Sequence, residues 1–203
     1  MLNRTYAFLI LVAFISHVKH GYAQVLGIPL YTWDFSTGLP SGWTSSNGNG
    51  NSLGVWEYRG PNTTPNISIT SRGSCAGGNQ QFTSITQSNG FMIFDSNYWD
   101  DNDTQCGGLG TGQDAAPHNA WITSGSINLS GVSNVYLTYQ HQLRSYSATV
   151  KVLVSNNGGN TWNEVTTLTQ TGTINTPNVQ WKTANISAWA ANQPNVKIKF
   201  QFQ

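Results

Sequence analysis

The chain has little charge, and this limits the partners that it can bind. Charged residues are 8% of the 203 residues, against roughly 25% in ordinary soluble proteins. The formal net charge is +1, which gives no basic surface of the kind that nucleic-acid binding needs. We therefore expect no nucleic-acid partner, and uncharged polar side chains must keep the surface hydrated.

Long apolar runs are also missing, except at the N-terminus. There Arg4 precedes an apolar run over 7–15, and the triplet 21–23 (Gly-Tyr-Ala) supplies the small residues of a cleavage site. This order is that of a secretory signal peptide. We predict that it covers residues 1–23, with cleavage after Ala23.

The run is too short to cross about 30 Å of bilayer hydrocarbon. We therefore expect a secreted or cell-surface protein without membrane insertion, with a lead-in over 24–30 and one domain over 31–203. Nine basic residues less Arg4 and Lys19 leave seven against eight acidic ones, so the mature net charge is −1.

The clearest local pattern is a predicted β-hairpin. Apolar Val150, Val152 and Val154 alternate with other residues, and the strand-like run 165–169 follows the turn 155–162, which is rich in asparagine and glycine. These turn residues tolerate positive φ, so they suit the tight connection of two antiparallel strands.

Helical periodicity is absent outside the leader, and short β-favouring runs separated by glycine- and asparagine-rich turns take its place. Such spacing predicts an all-β fold, a jelly-roll-like β-sandwich of two antiparallel sheets. We assign 45–52 and 95–113 to loops and expect 181–189 to end in a short helical turn. The remaining predicted strands are Tyr31–Phe35, Val55–Tyr58, Ile67–Thr70, Phe91–Phe94, Ala120–Thr123, Ile127–Leu129, Val135–Gln142 and Val196–Phe202.

The predicted strand 196–202 is followed by a single residue, Gln203, which is the last of the sequence. A sheet that ends there would have an edge open for pairing. We expect a domain truncated before its last strand, in the N-terminal part of a longer protein; the alternative is an ordinary C-terminal strand.

Cysteine is scarce, and the mature chain has only Cys75 and Cys106. An even pair in an oxidising compartment predicts a disulfide, which would contribute roughly 3–4 kcal/mol for a loop of about 30 residues. Free thiols are the alternative. The separation of the two cysteines, with no Cys/His pair nearby, argues against a metal site.

Six segments carry a family resemblance through their order along the chain: 33–35, 38–43, 91–96, 119–130, 135–141 and 155–162. Together they resemble the bacterial MAM-like jelly-roll modules, including the cleaved-adhesin and choice-of-anchor modules of secreted surface proteins. The resemblance implies a non-enzymatic adhesion or binding domain. Asn157 stands where such turns often have aspartate, and the same turn is similar to the structural Asp-box hairpin of sialidases.

Five of the eight acidic residues lie in one stretch, at Asp95, Asp100, Asp101, Asp103 and Asp114. Carboxylates and amides are the ligands that Ca²⁺ prefers. The alternative is a solvated acidic loop. An EF-hand is excluded because the glycine and the later glutamate are missing.

The family resemblance implies a different set of structural Ca²⁺ ligands. It places them at Asp34, Asp95 and Asn119. We rank this set above the aspartates at 100–103.

Catalytic patterns are few. The mature chain has two histidines, His118 and His141, and two glutamates, Glu57 and Glu164, and it has no Gly-x-Ser-x-Gly or His-Glu-x-x-His motif. Paired carboxyls are what glycoside hydrolysis needs, so a glycosidase built on the two glutamates is an alternative. We predict that the chain is not an enzyme.

Aromatic residues make up 12% of the chain, and they suggest a binding role. Trp43, Trp56, Trp99 and Trp162 stand next to turns, so we predict that they contact a glycan or a protein surface, the alternative being a core position. Strand tryptophans at 33, 121 and 181 are expected in the core. The rival function is a carbohydrate-binding accessory module of a secreted glycoside hydrolase or protease.

Overall fold

The computed structural model describes residues 12–16, 29–50, 52–59, 90–101, 112–145, 148–169, 174–175 and 180–203. Short strands dominate this part of the chain. Its elements are β1 (Val12–Ser16), β2 (Pro29–Trp33), β3 (Thr44–Asn47), β4 (Glu57–Arg59), β5 (Phe91–Ile93), α1 (Ser96–Asp101), β6 (Ala120–Thr123), β7 (Tyr136–His141), β8 (Arg144–Ser145), β9 (Thr149–Ser155), β10 (Asn163–Thr169), β11 (Ile174–Asn175), β12 (Gln180–Asn185), α2 (Ser187–Ala190) and β13 (Lys197–Phe202).

One layer of the fold is a five-stranded antiparallel sheet, with the order β10-β9-β13-β6-β3. Its three inner strands, β9, β13 and β6, alternate between buried and half-buried residues. In β13, for example, Ile198, Phe200 and Phe202 are buried and the residues between them are not. Period-two patterning is what gives a sheet one core face and one solvent face. Because β13 pairs with both β9 and β6, it is an internal strand and presents no open edge of its own. Truncation of the domain before a further strand remains a prediction.

The second layer is a four-stranded antiparallel sheet, with the order β12-β7-β1-β2. Its strand β1, Val12–Ser16, lies inside the segment that the sequence predicts to be a leader. It pairs with β7 on one side and with β2 on the other. Cleavage after Ala23 remains a prediction.

The apolar faces of the two sheets form one core. Tyr139 of β7 and Phe200 of β13, both 0% exposed, meet edge to face with ring centroids 5.4 Å apart. Trp43 also stacks on Phe200, with ring centroids 6.5 Å apart. Such aromatic pairs contribute about 0.5–1.5 kcal/mol beyond their buried area, so these rings hold the layers together. The fold is the all-β sandwich that the sequence predicts.

Two loop assignments were wrong. Residues 44–47, assigned mostly to a loop, form β3 on the edge of the five-stranded sheet, paired with β6. Residues 96–101 form α1 rather than an open acidic loop. The short helical turn predicted after β12 is confirmed as α2, whereas the predicted strand Ile67–Thr70 lies outside the described residues. Among the described residues, no helix is long and apolar enough to cross a membrane.

Candidate ligand-binding face

The turn between β9 and β10 is fixed by its own side chains. The Ser155 hydroxyl accepts hydrogen bonds from the Gly159 and Asn157 amides at 2.8 and 3.3 Å and donates to Asn157 Oδ1 at 2.9 Å. Asn157 Oδ1 also accepts from the Thr161 amide at 3.0 Å. Gly158 and Gly159 have φ of 74° and 100°, a region that favours glycine. The turn therefore holds the residue that follows Thr161 in a defined place.

That residue, Trp162, is half-buried on the outer side of the five-stranded sheet. Its ring centroid lies 4.1 Å from Lys199 Nζ, and the Trp121 ring lies 5.1 Å from the same atom. Both distances fall within the roughly 6 Å range of a cation–π contact. The Lys199 side chain thus lies against two indole rings, and its partial burial lowers the pKa of its ammonium group.

Strand register explains why these groups meet. Lys199 alternates with Ile198 and Phe200, which are 0% exposed, so it lies on the outer face. On β6, Trp121 alternates with Ala120 and Ile122, which are also 0% exposed. Since β13 pairs directly with β6, the two outward rows lie side by side.

Amides extend the same surface. Gln201 Nε2 donates to Asn119 Oδ1 at 2.7 Å, and the Asn119 carbonyl oxygen accepts a hydrogen bond from the Gly48 amide at 2.8 Å. At the far side, Lys151 Nζ and Glu164 Oε2 form an ion pair of 3.7 Å; exposed pairs of this kind contribute about 0–1 kcal/mol. The tryptophan–lysine face is defined as Trp121, Trp162, Lys199, Gln201 and Asn119.

Indole faces, side-chain amides and an ammonium group together suit a ligand that is partly apolar and rich in oxygen atoms. The rings offer apolar contact area, while the amides and the ammonium group donate hydrogen bonds to hydroxyl or carboxylate oxygens. Trp121, Lys199 and Gln201 lie on β6 and β13, whereas Trp162 and Asn119 directly precede β10 and β6. The strands and the hydrogen-bonded turn therefore hold these groups in place before a ligand arrives.

Three of the four tryptophans predicted to be exposed are buried instead. Trp43, Trp56 and Trp99 are 6%, 2% and 5% exposed, and the Trp99 indole donates to the Val55 carbonyl at 3.2 Å. All three belong to the buried core cluster, so proximity to a turn did not mean exposure. Only Trp162 of this set has an accessible ring.

The strand tryptophans, expected in the core, are less buried than predicted, although Trp33 packs against the core cluster. Trp33 and Trp121 are half-buried, and Trp181 on the edge strand β12 is 49% exposed. Alternation along β6 could have placed Trp121 on the face of the sheet opposite to Ile122. The pairing of β6 with β13, which brings Trp121 close to Lys199, cannot be predicted from the sequence of either strand.

The acidic stretch is partly built into the core. The Asp95 carboxylate, 0% exposed, accepts a hydrogen bond from the Tyr98 amide at 3.3 Å in the first turn of α1 and lies 3.6 Å from the Arg59 guanidinium. Asp100 Oδ1 accepts from the Ala116 amide at 2.9 Å. These two carboxylates therefore tie α1 to neighbouring segments, which a solvated loop would not do.

The three residues of the implied calcium set have different surroundings. Asp34 is exposed, and the Ser36 amide donates to it at 3.0 Å, which lowers the pKa of its carboxyl group. Asp95 is buried beside Arg59, and Asn119 belongs to the tryptophan–lysine face. Within the described residues, no three His, Cys, Asp or Glu side chains are grouped so as to hold a metal ion. Calcium binding at this set remains a prediction.

Both histidines of the predicted mature chain are buried. Burial lowers the pKa of His141 to about 4, with a smaller effect of the Lys182 charge. Burial also lowers the pKa of His118, opposed by Asp114 and Asp100; its Nδ1 lies 3.7 Å from Asp114 Oδ2, and its ring lies against Phe94 at 5.2 Å. Neither imidazole has the open position of a general base acting on a large substrate.

The two glutamates of the glycosidase alternative each have a basic partner. Glu57 Oε2 lies 2.9 Å from the Arg59 guanidinium, and Glu164 pairs with Lys151. They belong to different sheets, β4 with β5 and β10 with β9. The predicted disulfide remains a prediction, because Cys75 and Cys106 lie outside the described residues, as does Asp103.

Comparison with known proteins gives one distant structural likeness. No family model and no curated protein matches the chain. The K1 cleaved adhesin domain of Lys-gingipain from Porphyromonas gingivalis W83 is similar at 17% identity, over 83% of this chain and 91% of that one, with a TM-score of 0.46. A function for the chain must therefore come from its own residues.

Proposed function

We propose that the chain is a secreted, non-enzymatic adhesion or ligand-binding module whose tryptophan–lysine face binds an extracellular glycan. The observation that supports this most is the position of Lys199 between the Trp121 and Trp162 rings, 5.1 and 4.1 Å away. These three half-buried side chains lie on the outer face of the five-stranded sheet.

A glycan fits the chemistry of the face. One side of a pyranose ring carries C–H groups that pack on an indole face, and its hydroxyls accept and donate hydrogen bonds to amides such as Gln201 and Asn119. The Lys199 ammonium group would meet a ring oxygen or a carboxylate. A largely uncharged chain, with 8% charged residues, leaves such short-range contacts as the main source of affinity.

The module would act as the N-terminal part of a larger extracellular or cell-surface protein. A carbohydrate-binding accessory role beside a glycoside hydrolase or protease uses the same face. The two differ in the attached part: a catalytic domain favours the accessory role, and a surface anchor favours adhesion.

The test is affinity electrophoresis of the chain through gels that contain neutral polysaccharides (cellulose derivative, xylan, mannan) or acidic ones (pectate, alginate). We expect retardation in at least one gel and at least a tenfold weaker affinity for Trp162→Ala. The matched control is Trp181→Ala, which removes an exposed indole from the other sheet. Equal retardation of all three proteins, or none in any gel, would overturn the proposal.

Loss of binding could also come from a damaged turn, so a second variant is needed. Trp121→Thr leaves a good strand former on the outer face and does not touch the turn. We expect it to weaken binding as Trp162→Ala does, while the thermal transition moves by less than 3 °C. Unchanged affinity in Trp121→Thr would show that the ligand does not use this face.

The absence of catalysis has its own assay. Each polysaccharide that is bound is incubated with the chain, and new reducing ends are measured over a day. We expect no release above the rate with Trp162→Ala. Turnover that disappears in Glu57→Gln or Glu164→Gln would establish the glycosidase instead.

A further inference from the structure

The lysines of the chain are concentrated in the five-stranded sheet. Three of the five lysines, Lys151, Lys197 and Lys199, lie in its strands. The only acidic residue in these five strands is Glu164. Three lysines less one glutamate leave an excess of two positive charges, in a chain of which only 8% of the residues are charged.

The three lysines share the outer face of that sheet. Lys151, Lys197 and Lys199 are half-buried, and each of them alternates with buried residues along its strand. Gln201 of the tryptophan–lysine face stands opposite Lys151, and directly opposed residues of an antiparallel pair lie on the same side of a sheet. The positive charge therefore lies on the same side as the candidate binding face.

Two of these lysines lie close to Trp162. A methyl group placed on Gly159 would lie 3.4 Å from the Trp162 ring and 3.6 Å from the Lys197 side chain. Lys199 Nζ lies 4.1 Å from the centroid of the same ring. Since two residues along a strand span about 7 Å, the ring has a lysine side chain near it at two separate positions.

These two lysines have no acidic partner. Lys151 Nζ lies 3.7 Å from Glu164 Oε2, whereas no ion pair within the described part of the chain involves Lys197 or Lys199. Partial burial lowers the pKa of the Lys199 ammonium group, because its charged form has lost part of its contact with water. A negative group bound beside it would offset that loss.

We propose that the ligand of the tryptophan–lysine face is a polyuronate, an acidic glycan whose carboxylates pair with Lys197 and Lys199 while its sugar rings pack on the indoles. This inference rests on the proposed function and names the class of glycan. A uronate sugar keeps the C–H groups that an indole face contacts and adds the charge that the two lysines lack. A neutral glycan would lack that charge, and an acidic peptide would offer the indoles no sugar ring.

The probes are hexagalacturonate and hexamannuronate, and calorimetric titration of the full chain measures their affinities. The methyl ester of hexagalacturonate has the same rings without the charges, and poly-L-glutamate has charges without sugar rings. We expect at least one uronate to bind about tenfold more tightly than either matched ligand, since each exposed ion pair contributes a factor of up to about five. Raising the salt from about 0.1 to 1 M shortens the range of charge interactions from about 10 to 3 Å, so it should remove most of the difference from the methyl ester.

Lysine variants locate the charge that the ligand uses. Lys197→Gln and Lys199→Gln each remove one positive charge, and we expect uronate binding about fivefold weaker, with little change for the methyl ester. The matched control is Lys182→Gln, which removes an exposed lysine from β12 of the other sheet. We expect this control to bind the uronate as the parent does.

Breaking the remaining ion pair should strengthen binding. Glu164→Gln keeps the oxygen that accepts a hydrogen bond from the Thr167 hydroxyl and frees Lys151, which stands opposite Gln201. We expect uronate binding to become about threefold tighter. Damage to the fold would not produce such a gain, and an unchanged or weaker affinity would contradict the inference.

The failure of this inference is distinguishable from that of the proposed function. If the methyl ester binds as tightly as the acid, or if the lysine variants bind the uronate unchanged, the inference is wrong and a neutral glycan remains the proposed ligand. Retardation in neutral gels without binding of either uronate has the same meaning. If poly-L-glutamate binds as tightly as the uronate, or if no glycan binds in any assay, both proposals are wrong.

Discussion

The two sheets differ in where their strands come from. All five strands of the larger sheet lie between residues 44 and 202, and its central strand β13 is paired on both sides. The smaller sheet draws one internal strand, β1, from within the predicted leader. The larger sheet is therefore complete without the leader, and the smaller one is not.

This difference indicates a separate structural role for each of the two sheets. The five-stranded sheet carries most of the tryptophan–lysine face, and none of its strands comes from the predicted leader. The four-stranded sheet supplies the other half of the core and contains the strand that the predicted cleavage would remove.

The largest expected effect comes from the centre of the complete sheet. Phe200→Ala removes a ring that contacts Trp43 and Tyr139 across the core, and truncations of this kind cost about 3–5 kcal/mol. Urea unfolding of the variant and the parent measures this loss. Lys197→Ala, on the outer face of the same strand, is the control and should cost less than 1 kcal/mol; an equal loss in both would mean that β13 is not central to the core.

Acid should lower the free energy of unfolding through His141, which lies in the smaller sheet. Its pKa is lowered to about 4 in the folded chain, against about 6.5 when unfolded, so protons bind the unfolded state first. Stability is complete above about pH 6.5 and falls by about 3 kcal/mol as the pH drops through 4. The lowered pKa of His118 acts in the same direction.

The contribution of His141 is isolated by the difference between the parent and His141→Gln. The free energy of unfolding is measured at steps from pH 7 to pH 4 for both proteins. We expect a flatter profile for the variant. Parallel profiles would mean that His141 titrates in the same way when folded and unfolded.

The turn that positions Trp162 should be sensitive at Ser155. Its buried hydroxyl oxygen accepts hydrogen bonds from the Asn157 and Gly159 amides. Ser155→Ala should therefore cost about 1–3 kcal/mol, because it leaves these donors unpaired. Asn157→Asp keeps the acceptor oxygen for the Thr161 amide and should stay within about 0.5 kcal/mol of the parent. Thermal unfolding of both variants measures the two losses of stability. A larger loss in Asn157→Asp than in Ser155→Ala would contradict the prediction.

The smallest expected effect is on the outer face of the four-stranded sheet. Thr138 and Thr183 share an exposed hydroxyl contact of 3.0 Å. Replacing both by Val removes donor and acceptor together and keeps a good strand former, so the cost should be under about 0.5 kcal/mol. A loss above 1 kcal/mol by urea unfolding would show that this face is covered.

Strand positions were largely predictable, because alternation is a local property. Ala120–Thr123 was placed without error, and the runs around Val152 and Phe200 were placed within one or two residues. The β-sandwich follows from such runs, since each must bury one face against another sheet.

The candidate face was only partly predictable. Trp162 was named from its turn, but its partners Lys199 and Trp121 come from strands far apart in sequence that register brings together. Trp43, Trp56 and Trp99 were misjudged because their exposure depends on contacts with residues distant in sequence, which short-range patterns do not encode. The helix α1 was missed because its six residues are too short for a helical period to show.

The place of β13 in its sheet has a consequence for the timing of folding. Strands β9 and β6 each have one partner that precedes β13 in the chain, β10 and β3, but they cannot be joined into one sheet until residues 197–202 have been synthesised. While the chain is still being made, the larger sheet can therefore exist only as two separate strand pairs.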